Sequence, residues 1–196
     1  MVYFMNRKIS INPKGNFIIF SITLSLLLNT YCSRKFYQDQ SFPNLETRAE
    51  ERRLKAFMDA GTGKPVNAHT ACVNEIIETA RQYLDVPHCM GGRTMKCMDC
   101  SGLLVTVFAK HGIHLPHNSE EQARFGKIMK GTDDLITGDL VFFIRSYKTH
   151  RFITHSGIYI GNNSFIHTSS RNGVTITSLS DPWWNGKFIF ATRLFD

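Results

Sequence analysis

Cys100 and two histidines downstream of it, His155 and His167, are the residues whose types and order fit nucleophilic catalysis. A thiol attacks only as thiolate, so such a cysteine belongs at a helix N-terminus, whose partial positive charge lowers its pKa, with a histidine to take the proton. The run SGLLVTVFAKHG puts Leu103, Leu104, Val107 and Phe108 on adjacent turns and ends at Gly112, so it reads as a helix that Cys100 begins. His155 opens the β-rich run HSGIYI, and His167 lies in the next run, SFIHTS, beyond a tight Gly161-Asn162-Asn163 turn. Such a hairpin sets the imidazoles side by side, one as general base and the other fixing its far ring nitrogen. On spacing alone, a buried cysteine and two strand histidines are more often structural, so the assignment needs the wider sequence.

The remaining cysteines and histidines offer rival chemistry. Cys97-x-x-Cys100 suggests a zinc or redox site, but zinc needs four ligands and a redox pair needs a strand-then-helix context, and neither is evident. In an oxidising compartment Cys97 can pair with Cys89 or Cys72, and the sequence does not choose. His111, His114 and His117 mimic metal spacing, yet Gly112 and Pro116 break any helix that would align them. Neither constellation is read as a metal or cofactor site. Asp139 reads as a turn residue ahead of a strand, and Trp183 and Trp184 read as a core plug more readily than as walls of a cleft.

Helices come first and strands after. From Thr70 onward Val73, Ile76, Ile77, Ala80 and Leu84 share one helical face that stops before Pro87. The helix after Cys100 follows, and Ser119 with Gln122 fits a capping box for a third that Gly126 closes. DLVFFI, HSGIYI, SFIHTS, GVTITSL and KFIFATRLF are then short strands between turn residues, which suggests an antiparallel meander or half-barrel. The expected class is α+β, with three N-terminal helices packed on a five- to six-stranded antiparallel sheet. Upstream, Arg7, Lys8 and Lys14 precede the largely apolar run Phe17 to Leu28, the layout of a signal peptide over residues 1–32; a twelve-residue run falls short of the roughly 20 that span a bilayer. Cys32 stands where a lipoprotein precursor carries its lipidated cysteine, although Asn29-Thr30-Tyr31 is a poor processing box. Residues 33–69 read as a tether with one exposed helix, and residues 70–196 as the catalytic domain.

The net charge of +7 is mostly upstream. Residues 1–32 hold three bases and no acids, whereas from Thr70 onward 13 bases face 11 acids, or +2, so the basic balance gives no support for nucleic acid as a partner.

The ordered segments ARQYLDVPHCMGG, DCSGLL, GDLVFF and HSGIYIGNNSFIH resemble the NlpC-type cysteine peptidases, relatives of papain, over about residues 70–196. The resemblance implies that Cys100 is the nucleophile, His155 the base and His167 its orienter. Asp99 and Ser101 would shape the elbow around the nucleophile, and backbone N–H groups at the helix start would receive the oxyanion. It further implies a papain-like domain that hydrolyses peptidoglycan stem peptides at the γ-D-glutamyl to diamino acid bond through a thioester. The protein would act as an exported monomer in the periplasm or cell envelope. Two positions depart from the pattern. His88 stands where relatives carry a tyrosine lining the oxyanion site, and His117 replaces a common arginine, a weaker and pH-dependent partner for a substrate carboxylate. The competing readings are a wall-binding lipoprotein with vestigial catalytic residues and a thioester-forming acyltransferase.

Overall fold

The structure, a computed structural model, describes residues 42–67 and 71–195. The expected signal peptide, Cys32 and the first part of the expected tether lie outside the described residues.

The helix expected to be exposed within the tether is built into the core. Thr47 caps α1 (Arg48–Asp59) in a capping box, its hydroxyl accepting from Glu50 N–H while Glu50 Oε2 accepts from Thr47 N–H, both at 3.2 Å. Leu54 and Phe57, one turn apart, are buried in the main hydrophobic cluster. The Arg124 guanidinium lies 4.5 Å from the centre of the Phe57 ring and donates to the Phe57 and Gly61 carbonyls, so one cation closes both the ring face and the end of the helix. Within α1 only Leu54 and Phe57 are buried outright, with Met58 packed beside them, which is too few for a sustained apolar stripe.

Three further helices cover the same face. α2 (Val73–Arg81) buries Ile76, Ile77 and Ala80. α3 (Cys100–Ala109) buries residues along most of its length, as befits a central helix. α4 (Ser119–Gln122) is capped by Asn118, not by Ser119 as expected: Asn118 Oδ1 accepts from Glu120 N–H at 2.9 Å and Glu121 N–H at 3.2 Å. The Ser119 hydroxyl is thereby free to point inward.

Between α2 and α3 lies a small hairpin of β1 (Arg93–Thr94) and β2 (Cys97–Met98). The main sheet contains β3 (Lys127–Met129), β4 (Leu140–Phe143), β5 (His155–Gly161), β6 (Ser164–Ser169), β7 (Gly173–Ser178) and β8 (Phe188–Arg193). Its order is β3-β8-β4-β5-β6-β7, antiparallel throughout. The α+β class and the antiparallel sheet are those expected, with β3 as the added sixth strand.

β4 lies inside the sheet and all four of its side chains are buried. Leu140 and Phe142 face the helices, whereas Val141 and Phe143 join a second cluster with Phe165, Leu179 and Phe188 on the other face. Both faces are covered, so β4 reads as a continuous apolar run. Asp139, just before it, is buried and accepts from Arg193 Nη2 at 2.8 Å and Ile136 N–H at 2.9 Å, which anchors β8 to the turn.

Replacing Phe57 by Ala is expected to lower folding stability by about 3–5 kcal/mol in denaturant unfolding. A loss below about 0.5 kcal/mol, the ordinary size of a surface substitution, would contradict the docking of α1.

Candidate active site

The elbow around Cys100 is organised by one carboxylate. Asp99 is the N-cap of α3: its Oδ1 accepts from Gly102 N–H at 2.7 Å and from the Ser101 hydroxyl at 2.9 Å, while Oδ2 accepts from Gly91 N–H at 2.7 Å. His117 Nε2 approaches Oδ1 at 3.1 Å. Burial raises the Asp99 pKa, but the Gly102 N–H, the Ser101 hydroxyl, His117 and the Gly91 N–H outweigh it and hold the carboxyl below its ordinary value. Gly102 lets the two backbones meet, since an added Cβ would lie 2.0 Å from the Gly92 carbonyl oxygen, the atom that accepts from Asp99 N–H at 3.0 Å. Beside this loop Cys89 and Cys97 form a disulfide, which settles the open pairing and removes Cys97 from any zinc or redox pair with Cys100.

Cys100 is the first residue of α3 and a free thiol, partly open to a cleft. Its Sγ lies 3.5 Å from the Ser119 hydroxyl. Burial pushes the thiol pKa up, and the Asp99 carboxylate adds to the rise; the Ser119 hydroxyl and the backbone N–H groups of Ser156 and Ser101 act the other way without cancelling it. The helix terminus was expected to lower this pKa. Packing around the sulfur reverses the direction, because a thiolate there loses more hydration than its neighbours return.

His155 and His167 meet as the hairpin argument requires. β5 and β6 pair with Ile158 opposite Ile166, a register that puts the two imidazoles diagonally on one face of the sheet. His155 Nε2 and His167 Nδ1 are 2.9 Å apart, and His167 Nε2 is 3.0 Å from Thr177 Oγ1. When His155 Nε2–H donates to His167 Nδ1, His167 carries its hydrogen on Nε2 and gives it to Thr177. His155 Nδ1 is then left as a free acceptor. Burial drives His155 well below the ordinary histidine value, with His167 and His88 acting in the same direction, and burial brings His167 to about 3 against a small opposing pull from Asp181. Both rings are therefore neutral near pH 7.

The start of β5 is held by the helical layer. Glu120 of α4 accepts from Phe152 and Ile153 N–H with Oε2, and Thr154 N–H donates to the Phe143 carbonyl at 2.9 Å, so the chain is pinned just before His155. On the other side stands Trp184 from α5 (Pro182–Asn185). Its ring centre lies 4.6 Å from that of His155 and 4.8 Å from that of His167. The core-plug reading of the tryptophan pair thus divides: Trp184 walls the imidazoles, while Trp183 is exposed at the rim.

A cleft of about 1020 Å³ joins these groups, lined by His88, Asp99, Cys100, Ser101, His155 and His167 among others. All six site residues expected from the sequence reach it. His117 lines it too, but its Nε2 contacts Asp99, so it is not the unengaged carboxylate receptor that its arginine-replacing position suggested. His111 lies elsewhere, against the Thr79 hydroxyl at 2.9 Å. Sequence reasoning missed Ser156, weighed Trp184 as a core plug ahead of a cleft wall, and read Ser119 and Gln122 only as a cap. A serine beside a strand histidine was the one available signal.

Comparison with known proteins bears on this arrangement. The family model described as NlpC/P60 family matches residues 85–193. The chain is similar to the murein DD-endopeptidase MepS/murein LD-carboxypeptidase of Escherichia coli, with 35% identity over 89% of each chain. It is also similar to the gamma-DL-glutamyl hydrolase of Bacillus subtilis, with 38% identity over 62% of this chain and 29% of that protein. Among solved structures, a NlpC/P60 family protein from Bacillus cereus superposes with a TM-score of 0.59 at 29% identity, covering 65% of this chain and 41% of that one.

The buried imidazoles couple stability to pH. In the unfolded chain they take protons near pH 6.5, whereas the folded pKa of His167 is about 3 and that of His155 is also depressed. Unfolded protein therefore binds more protons in between, so the stability present above pH 6.5 falls as pH drops toward 3. His167→Gln is expected to flatten this fall in urea unfolding measured from pH 7 to pH 4; an unchanged slope would contradict a neutral, buried His167.

Proposed function

The chain belongs to the NlpC/P60 family, and from that premise we propose that it is a cysteine peptidase that hydrolyses the stem peptides of peptidoglycan, with Cys100 as nucleophile, His155 as base and His167 as orienter. The observation that carries this reading is the shared cleft. A thiol at the first position of α3 opens onto a histidine whose Nε2 is held at 2.9 Å by a second histidine, leaving Nδ1 to work. The name of the E. coli relative, a murein endopeptidase, supports the substrate class.

His155 Nδ1 removes the thiol proton as sulfur attacks the peptide carbonyl. The negative charge on the carbonyl oxygen is met by backbone N–H groups at the start of α3, with His88 placed in the same cleft as a further donor. The His155 imidazolium returns its proton to the leaving amine, the C–N bond breaks, and a thioester remains on Cys100. Water then attacks that thioester with His155 again as base, releasing the acid and the free thiol. Asp99 and Ser101 hold the elbow rather than react, since their side chains bond to each other and to the loop.

For the bond, the family resemblance points to γ-D-glutamyl to diamino acid, and the name of the B. subtilis relative shares with it only the γ-glutamyl side. A second reading, the D,D cross-link, is favoured by the E. coli relative, whose match runs along 89% of both chains. Work on peptidoglycan places the protein in the envelope, in keeping with the signal-like residues 1–32, and Cys32 would serve as the lipid anchor.

Wild-type protein should release peptides from sacculi and from defined stem peptides, while Cys100→Ala and His155→Ala should fall by at least about a hundredfold. Equal release by all three would end the peptidase reading, and mass analysis of the products assigns the bond. The pH profile follows from the shifts. The reactive state has one proton shared between Cys100 and His155, so kcat/KM should hold a plateau whose acid limb lies below 6.5 and whose alkaline limb lies above 9.0. An optimum confined between those values would contradict burial as the dominant influence.

A further inference from the structure

A second set of hydrogen bonds leads from the sulfur away from the histidines. Cys100 Sγ is 3.5 Å from Ser119 Oγ, Ser119 Oγ is 3.0 Å from Ser156 Oγ, and Ser156 Oγ is 3.1 Å from Gln122 Oε1. Ser119, Ser156 and Gln122 are buried. β5 presents His155 to one face of the sheet and Ser156 to the other, so the strand meets the thiol's surroundings from both sides.

Gln122 gives the chain a direction. Its amide nitrogen lies 2.9 Å from the Ser101 carbonyl oxygen and 2.8 Å from that of Pro116, and carbonyls only accept, so the NH₂ group must be there and Oε1 must face Ser156. The Ser156 hydrogen is therefore committed to Oε1. Ser156 Oγ can then only accept from Ser119, and Ser119, its single hydrogen spent, can only accept from the thiol. The donors run Cys100 to Ser119 to Ser156 to Gln122.

We propose that this chain is a latch on the nucleophile: at rest it turns the Cys100 hydrogen toward Ser119, and it yields to the thiolate only when the Ser119 hydroxyl rotates from Ser156 to the sulfur. The proposal rests on Cys100 being the nucleophile. As His155 takes the proton, the S–H bond breaks, an N–H bond forms and the electron pair stays on sulfur. Ser119 O–H then donates to that sulfur, a charge-assisted bond. The rotation leaves Ser119 Oγ and Ser156 Oγ facing each other with no hydrogen between them, or forces Ser156 to abandon the Gln122 amide oxygen. Either outcome strands a buried acceptor, and this opposes ionisation. Ser119 and Ser156 are thus positioning residues of opposite sign: one receives the thiolate and the other restrains that reception.

The ionisable groups around the sulfur are Asp99 at the start of α3, His88 and His117 from the loops, His155 and His167 from β5 and β6, and Tyr147 from the segment before β5. Among the described residues none of their side chains bonds to Ser119, Ser156 or Gln122, so their influence is common to the variants below.

The test is the pH dependence of iodoacetamide alkylation at Cys100 in the full chain, followed by peptide mapping. Ser119→Ala should raise the midpoint by about one pH unit, the scale of one lost hydrogen bond to a charged group. Ser156→Ala should lower it, and Ser119→Ala with Ser156→Ala should match Ser119→Ala alone. Gln122→Met removes the acceptor that sets the direction, so it should also lower the midpoint, and it carries the test if Ser156→Ala does not fold. Shifts of one sign in both single serine variants, no shift in either, or a Ser156→Ala effect that persists without the Ser119 hydroxyl would overturn the latch. Alkylation needs no turnover, so a wild type that alkylates as described but releases no peptide would defeat the peptidase reading and leave the hydrogen-bond chain standing.

Discussion

A single hydrogen bond, His155 Nε2 to His167 Nδ1 at 2.9 Å, sets the terms for the rest of the site. It fixes which nitrogen of His155 is free, and because one of the two facing nitrogens must accept, it forbids both imidazoles from being charged at once, while burial keeps the resting rings neutral. Neutral rings can be packed against apolar groups, and here they are: Phe165 stacks at 4.5 Å from His167, Phe143 lies 6.0 Å from His155, and Trp184 touches both. Burial and neutrality support each other, because each apolar neighbour makes the charged ring costlier. The thiol obeys the same rule with the opposite sign, so the resting pair is thiol and imidazole rather than an ion pair.

Much of the scaffold exists to bring that face of β5 to the start of α3. The Asp99 carboxylate ties the first turn of α3 to the Gly91 loop, and Gly102 allows the close approach beneath it. Thr168 of β6 donates its hydroxyl to the Asp99 carbonyl at 3.2 Å, which links the elbow around Cys100 directly to the strand that carries His167. Glu120 holds the segment entering β5 from the helical side. Every one of these links is polar, short and at least partly enclosed, the condition under which a hydrogen bond specifies geometry as well as adding stability.

The parts legible in sequence were those with a strong period or a tight turn. The apolar run after Cys100, the β-rich runs and the Gly161-Asn162-Asn163 turn determine α3, the hairpin and the histidine pair, because each depends on residues close in the chain. The docking of α1 was hidden, since Leu54 and Phe57 are two apolar residues in a charged helix and their partners Arg124, Phe152 and Phe190 are remote. Trp184 and the Ser119–Ser156–Gln122 chain were hidden for the same reason. The direction of the Cys100 shift escaped as well: a helix terminus can be read from the chain, but the loss of hydration at the sulfur arises only when β5, α3 and α4 pack together.

The claim that an uncharged, water-excluded histidine pair underlies this site is tested most directly by nitrogen NMR of the imidazoles as pH is varied. The structure predicts that His155 titrates well below 6.5 and His167 only near 3, and that His155 carries its hydrogen on Nε2. Titration of both rings near 6.5, or a hydrogen on His155 Nδ1 in the resting protein, would contradict it.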